Sequence, residues 1–263
     1  MSESFIRCEF EGTVARITLD RADRRNALTK GMIQQLTQSV RELAVNEQIR
    51  VIVLTAEGSV FCAGMDLAEM QERVSAENSP EQWLEDSLAY HDLLLAILEA
   101  PQPTLAVVQG PALAGGVGIV LACDLVLAEK DAYFSLPEPL RGITASMVTP
   151  LLMFRAGAGP VSHLLLSGRR VSAATMCNWG VCHEVVAREQ LASAATQWTN
   201  SILSGSPTAL AATKKQIREY AEVDLADQLR RAAHQSAQAR ESADAREGLQ
   251  AFLEKRKPNW NST

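Results

Sequence analysis

From residue 100 to residue 123 the chain carries no charged side chain. A stretch of that length has to be buried, either in lipid, which about 20 apolar residues can cross, or in a folded core. Pro101, Pro103, Gln109, Gly110, Pro111 and Gly115 interrupt it, and such interruptions leave main-chain groups that lipid cannot satisfy. The stretch therefore reads as a buried strand over Thr104–Val108, a turn over 110–114 and a helix over 115–123, with another strand over 124–128. No membrane partner is expected.

The rest of the chain can be fitted around this unit. Residues 6–10 and 14–19 alternate apolar with polar side chains around Glu11-Gly12, as a hairpin does. Met32, Ile33, Leu36, Val40 and Leu43 recur at helical spacing, and the run from Val51 to Leu54 suits a buried strand. Ser79-Pro80-Glu81-Gln82 supplies an N-cap, a proline at N1 and a glutamine at N3, so a helix is predicted toward Glu99 with Leu84, Leu88, Leu95 and Leu98 on its apolar side. After about Ala187 only helical patterns remain. Pro207, Asp224 and Ser242 are their starts, with Leu210, Ile217, Leu225, Leu229, Leu249 and Phe252 as buried positions. The expected organisation is an α/β core over 1–190 and a helical segment over 191–263 whose apolar faces favour self-association.

Apolar residues make up 47% of the 263 and charged residues 21%, so a folded core is expected. A net charge of -6 offers no basic field for duplex nucleic acid. Cys8, Cys62, Cys123, Cys177 and Cys182 are odd in number and form no C-x-x-C pair, which fits a reducing compartment and small packing residues. Residues 1–7 show no basic segment followed by an apolar one, so a cytoplasmic location is expected. His91, His163, His183 and His234 lack both the H-E-x-x-H pattern and cysteines at zinc spacing, and no metal is expected. His183 and Glu184 would face opposite ways on a strand, and Asp124 reads as a capping or turn residue.

Chemistry points to two glycine-containing turns, each following a buried strand and preceding a helix. One runs Phe61-Cys62-Ala63-Gly64-Met65-Asp66-Leu67; the other runs Gly110-Pro111-Ala112-Leu113-Ala114-Gly115-Gly116-Val117-Gly118. Glycine lets the backbone approach a ligand, and the free amides of a helix N-terminus are donors at the positive end of a dipole. An oxyanion could be held there. Neither turn matches the phosphate loop pattern, and the second lacks the dinucleotide fingerprint with its acidic partner.

Asn26-Ala27-Leu28, Phe61-x-Ala63-Gly64-x-Asp66-Leu67, Gly110-x-Ala112-x-x-Gly115-Gly116, Cys123-Asp124 and Phe134-x-x-x-Glu138 follow one another in this order. In that series the chain resembles the enoyl-CoA hydratase/isomerase (crotonase-like) family from about residue 10 to 186, and the stretch from Phe252 to Pro258 is similar to the family's C-terminus. The resemblance implies an α/β fold, a spiral of ββα turns with a C-terminal helical trimerisation segment, assembled as a homo-trimer or hexamer. It implies an acyl-CoA thioester substrate with no further cofactor, CoA being part of the substrate. The backbone N–H groups of Met65 and Gly115 become the oxyanion donors for the thioester oxygen, an arrangement that can lower an enolate-forming barrier by about 3–4 kcal/mol per donor.

Glu138 takes the role of acid/base residue by the same resemblance. Its setting in Leu136-Pro137-Glu138-Pro139 is stiff and apolar, which would raise its pKa. Familiar hydratases carry a second glutamate where this chain has Gly118. Family isomerases work with the equivalent of Glu138 alone. Hydratases of branched glutaconyl-CoA esters are similar here in having glycine at that place, with Thr149-Pro150 and Arg155-x-Gly157 adding to the likeness, although their proline shortly after Gly142 is absent. The expectation is an enoyl-CoA hydratase acting on an unsaturated acyl-CoA, with a 3-branched glutaconyl-type ester as the narrower form, for which Gly118 would make room beside the β-carbon. The alternatives are a 3,2-enoyl-CoA isomerase, other enolate chemistry, or a non-catalytic acyl-CoA-binding or assembly protein. CoA itself would be held by Arg24, Arg25, Ala63, Asp66 and Leu67, with Phe252 and Lys255 reaching over from a neighbouring subunit.

Overall fold

A computed structural model describes residues 4–74, 79–220 and 224–261; the first three positions of the N-terminal reading lie outside them. In chain order the elements are β1 (Ile6–Glu11), β2 (Val14–Leu19), α1 (Lys30–Ala44), β3 (Val51–Ala56), α2 (Leu67–Val74), α3 (Ser79–Glu99), β4 (Thr104–Val108), β5 (Ala112–Leu113), α4 (Gly115–Ala122), β6 (Leu125–Glu129) and β7 (Tyr133–Ser135). Then come α5 (Val148–Ala156), α6 (Ala158–Ser167), β8 (Val171–Ser172), α7 (Ala173–Asn178), β9 (Glu184–Val186), α8 (Leu191–Leu203), α9 (Pro207–Glu219), α10 (Leu225–Arg240) and α11 (Ala243–Leu253).

Six strands form one sheet in the order β1-β2-β3-β4-β6-β9, and β5, β7 and β8 form a second. The hairpin pair β1/β2 is antiparallel, while β2, β3, β4, β6 and β9 run parallel. Continuous apolar runs in β3 and β4 follow from burial on both faces. Ile52, Leu54, Ala106 and Val108 turn to the main core with α1 and α3, whereas Val51, Val53, Leu105 and Val107 meet Leu191, Ala194 and Ile202 of α8. Two successive turns of the spiral send the chain from the large sheet into a short strand of the small one, from β4 to β5 and from β6 to β7, and the chain after β3 joins β5 by a single bridge, Cys62 to Ala112. The site is built where these passages lie side by side.

Local signals set the helix boundaries. Thr29 accepts from Met32 N and opens α1, Asp224 accepts from Asp227 N and opens α10, and Ser242 accepts from Ala245 N and opens α11. Pro207 stands at the first turn of α9. Lys214 of α9 donates to the carbonyls of Ile97 and Gln102 and pairs with Asp124 at 2.7 Å. Asp124 also accepts from Thr104 N and Oγ1, so it holds two strands in line.

Several side chains lie elsewhere than their pattern implies. On α3 the core face is Trp83, Ser87, Tyr90, Leu94 and Ile97, with Leu98 buried and Leu84, Leu88 and Leu95 only half-buried. The helix is apolar on several sides, so its stripe does not identify the inward face. Ile217 is 59% exposed and Phe252 44% exposed, so neither is a core position. Cys62, Cys123 and Cys182 are buried packing residues, but Cys8 is exposed on β1. Residues 110–114 include the short strand β5 rather than a simple turn. No described helix is long and apolar enough to cross a membrane.

Candidate active site

Asn26 ties the first glycine turn to the hairpin. Fully buried, it accepts from Arg21 N at 2.9 Å and donates to the carbonyls of Glu57 and Val60 at 2.9 and 2.8 Å. The following residues align with the turn as a short parallel pair: Leu28 N donates to Gly64 O, and Asp66 N donates to Leu28 O. Alternation along an extended chain then directs the Met65 N–H away from Leu28. Met65 and Gly115 both line the same cleft.

The second turn approaches the first through missing side chains. A Cβ added at Gly64 would lie 2.6 Å from Ala114 Cβ and 3.2 Å from Gly115 N, and one at Gly116 would lie 2.5 Å from Cys62 O. Glycine is therefore required by close packing at both places. Ala114 holds φ 50°, an uncommon conformation for a residue with a Cβ, and its N–H donates to Ser135 O. The helix α4 starts at the next residue, so Gly115 N–H belongs to the turn that has no intrahelical acceptor.

The cleft beside these amides has an empty volume of about 630 Å³, open solvent at its mouth included. Of the residues singled out in the sequence, Ala63, Met65, Leu67, Gly115 and Glu138 line it. Glu138 begins a single 3-10 turn over Glu138–Arg141, closed by Gly142 at φ 67°. Burial pushes its pKa up to about 7, against the opposing pull of its own amide and of Arg141 and Arg240. Its Oε2 makes no hydrogen bond among the described residues, so one carboxylate oxygen is free for a ligand or water.

Gly118 does not open space in the cleft. A Cβ there would lie 2.2 Å from the hydroxyl of Tyr90, so the room expected beside the β-carbon is filled by a phenol. Tyr90 is fully buried, lines the cleft and donates its hydroxyl to the carbonyl of Gly115. Burial, then the Cys62 thiol and Glu138, push its pKa well above the usual tyrosine range. It is thus a neutral donor bracing Gly115, the first residue of α4 and part of the cleft wall. Sequence reasoning missed Tyr90, because apolar residues on several sides of α3 leave no pattern that singles out the face carrying it.

The proposed CoA residues do not all gather here. Arg24 and Arg25 are exposed and line neither the cleft nor the pocket beside it, and Arg24 lies 3.9 Å from Asp23. Asp66 is engaged structurally: it pairs with Arg21 at 2.7 Å and accepts from Ala68 N at the start of α2. Burial raises its pKa, but Arg21 and the amides outweigh it and hold the group below the usual range. Asp66 does border the adjoining pocket of about 400 Å³ with Leu28, Met65 and Trp83. Phe252 packs under the guanidinium of Arg141 at 4.4 Å within its own chain, and Lys255 lies exposed past the end of α11 with φ 56°.

His183 and Glu184 form no dyad. His183 Nδ1 accepts from Val126 N at 3.0 Å, and Glu184 accepts from the Trp198 indole at 2.6 Å. Among the described residues there is no group of three or more His, Cys, Asp or Glu side chains that could hold a metal ion.

Comparison with known proteins gives a consistent picture. The profile of the family described as "Enoyl-CoA hydratase/isomerase" matches residues 9–263. A hydratase-type relative from Thermus thermophilus is 34% identical over 250 residues, covering 95% of this chain and 98% of the relative. The 2,3-dehydroadipyl-CoA hydratase of Escherichia coli is 32% identical over 253 residues, covering 94% of each chain. A crystal structure of an enoyl-CoA hydratase from Mycobacterium avium superposes with a TM-score of 0.84 at 31% identity, covering 98% of this chain and 100% of that one.

Proposed function

Because the chain belongs to the enoyl-CoA hydratase/isomerase family, we propose that it hydrates a 2-enoyl-CoA thioester in the cleft between its two glycine turns. The observation that carries this reading is one buried carboxyl group, Glu138, its pKa raised to about 7, in the same cleft as Met65 and Gly115. The thioester oxygen accepts from the Met65 and Gly115 amides. Glu138 takes a proton from water as the water oxygen bonds to the β-carbon, and negative charge moves onto the thioester oxygen, where fixed donors oppose it. Glu138, now protonated, returns that proton to the α-carbon, so one water adds across the double bond. Arginine cannot act as the acid near neutral pH, and Tyr90 is too weak an acid in its buried state. A single group serving both steps is the consequence.

A glutaconyl-type substrate is the narrower form of this proposal, but Tyr90 removes its steric basis at Gly118. The missing second carboxylate supports a second reading, 3,2-isomerisation by the same glutamate moving one proton between two carbons. Hydration consumes the conjugated enoyl-thioester absorbance, whereas isomerisation of a 3-enoyl ester creates it. Glu138→Gln is expected to lower turnover by about 10²–10⁴-fold while the protein still binds acyl-CoA. Unchanged turnover would remove Glu138 from the mechanism and leave the acyl-CoA-binding reading.

A further inference from the structure

Charge in the cleft is unbalanced in one direction. Arg141, at the end of the turn begun by Glu138, and Arg240, the last residue of α10, both line it. Arg240 lies over the Trp83 ring at 5.4 Å and donates to Ser87 Oγ at 2.8 Å. Asp86, which bears electrostatically on Arg240, is already paired with Arg73 at 3.2 Å. Neither cleft arginine forms an ion pair among the described residues, and Arg141 Nε is buried without a hydrogen-bond partner.

Taking guanidinium groups out of water is costly unless an anion meets them. Burial holds both arginines below their ordinary pKa, with Glu138 pulling the other way. Glu138 brings one carboxyl group to the cleft and so cannot neutralise two cations. The planar fork of arginine matches a carboxylate in two parallel hydrogen bonds. Tyr90, Val148 and Ser236 line the same cleft.

We infer that Arg240 and Arg141 bind a carboxylate at the far end of the acyl chain, making thioesters of dicarboxylic acids the preferred ligands. The inference rests on the reading that the thioester itself sits at Met65 and Gly115. A rival role for the arginines is to adjust Glu138 alone, which would leave no preference for the end of the chain.

Calorimetric binding to the full-length protein separates these. Glutaryl-CoA is compared with 5-methylhexanoyl-CoA, in which a neutral isopropyl group replaces the carboxylate at similar shape, and with free CoA. None of the three can be hydrated, so the measurement does not depend on catalysis. The wild type is expected to bind glutaryl-CoA at least about 10-fold more tightly than its neutral counterpart. Arg240→Met and Arg141→Met should each reduce that ratio, and Arg240→Lys should restore part of it because charge returns without the fork. Equal or weaker binding of glutaryl-CoA by the wild type overturns the inference, even if the variants fail to fold. So does an Arg240→Met protein that loses free CoA as severely as glutaryl-CoA, which would assign the arginine to CoA phosphate. Failure of the acyl-CoA reading looks different: then neither ester binds at all.

Discussion

Glu138 changes charge in the range where the enzyme has to work, because burial has moved its pKa from 4.5 to about 7. A general base acts when ionised, so kcat/KM for hydration is expected to rise with pH and level off above about 7, a limb that a stopped assay across pH 5–9 would trace. The sign for stability is opposite. Between 4.5 and 7 the folded state holds a proton that the unfolded state releases, so stability falls as pH rises through that window. Glu138→Gln should therefore melt above the wild type at pH 8 and lose that advantage near pH 4.5, at a scale of about 1.4 kcal/mol per unit of pKa shift. Tyr90 gives a second expectation at this scale. Gly118→Ala pushes a methyl against the phenolic oxygen and should cost about 1–3 kcal/mol in urea denaturation. Adding Tyr90→Phe removes that oxygen and should recover part of the loss; simple additivity of the two changes would show that the phenol does not fill this space.

Among elements, α11 bears on the site more than its distance along the chain suggests. It packs against the turn that holds Glu138 and Arg141. The two segments touch through glycines: a Cβ at Gly248 would lie 2.3 Å from the Arg141 carbonyl carbon, and one at Gly142 would lie 2.2 Å from Asp244 O. Gly248→Ala should displace this helix and raise KM for an enoyl-CoA ester several-fold, about 1 kcal/mol of binding, with the sheet still folded by circular dichroism. What was legible in the sequence follows the range of the interactions. The two turns could be read because strand, glycine and helix start are adjacent in the chain, whereas Glu138 was singled out by its place in the motif series of the family resemblance, since its proline-flanked local sequence also suits a solvated loop. Tyr90, Arg141 and Arg240 could not be read, since α3, the turn after β7 and α10 meet only through tertiary packing. The even apolarity of α3 hid which of its sides faced inward. Arg24 and Arg25 carried a positive charge near a recognised motif, and that says nothing of where their side chains end.

For the whole molecule, the helices after residue 190 pack onto the α/β body, with α8 against β3 and β6, and α10 along α3. Assembly into trimers or hexamers belongs to the proposal drawn from the family resemblance. Light scattering should give a mass that is a multiple of three of the 28.6 kDa chain, and a monomer at micromolar concentration would refute it. Leu140, Met153, Leu166, Ile217 and Tyr220 are exposed in the single chain, and in such an assembly some of this apolar surface would become covered.

Synthesis runs from the N-terminus, so α11 leaves the ribosome after every strand and both glycine turns. Until it emerges, the loop bearing Glu138 and Arg141 rests on α6 and lacks the helix that closes over it from the other end of the chain. A nascent chain thus owns both glycine turns before it owns a finished chamber, and the capacity to hold a ligand there waits on its C-terminal helices.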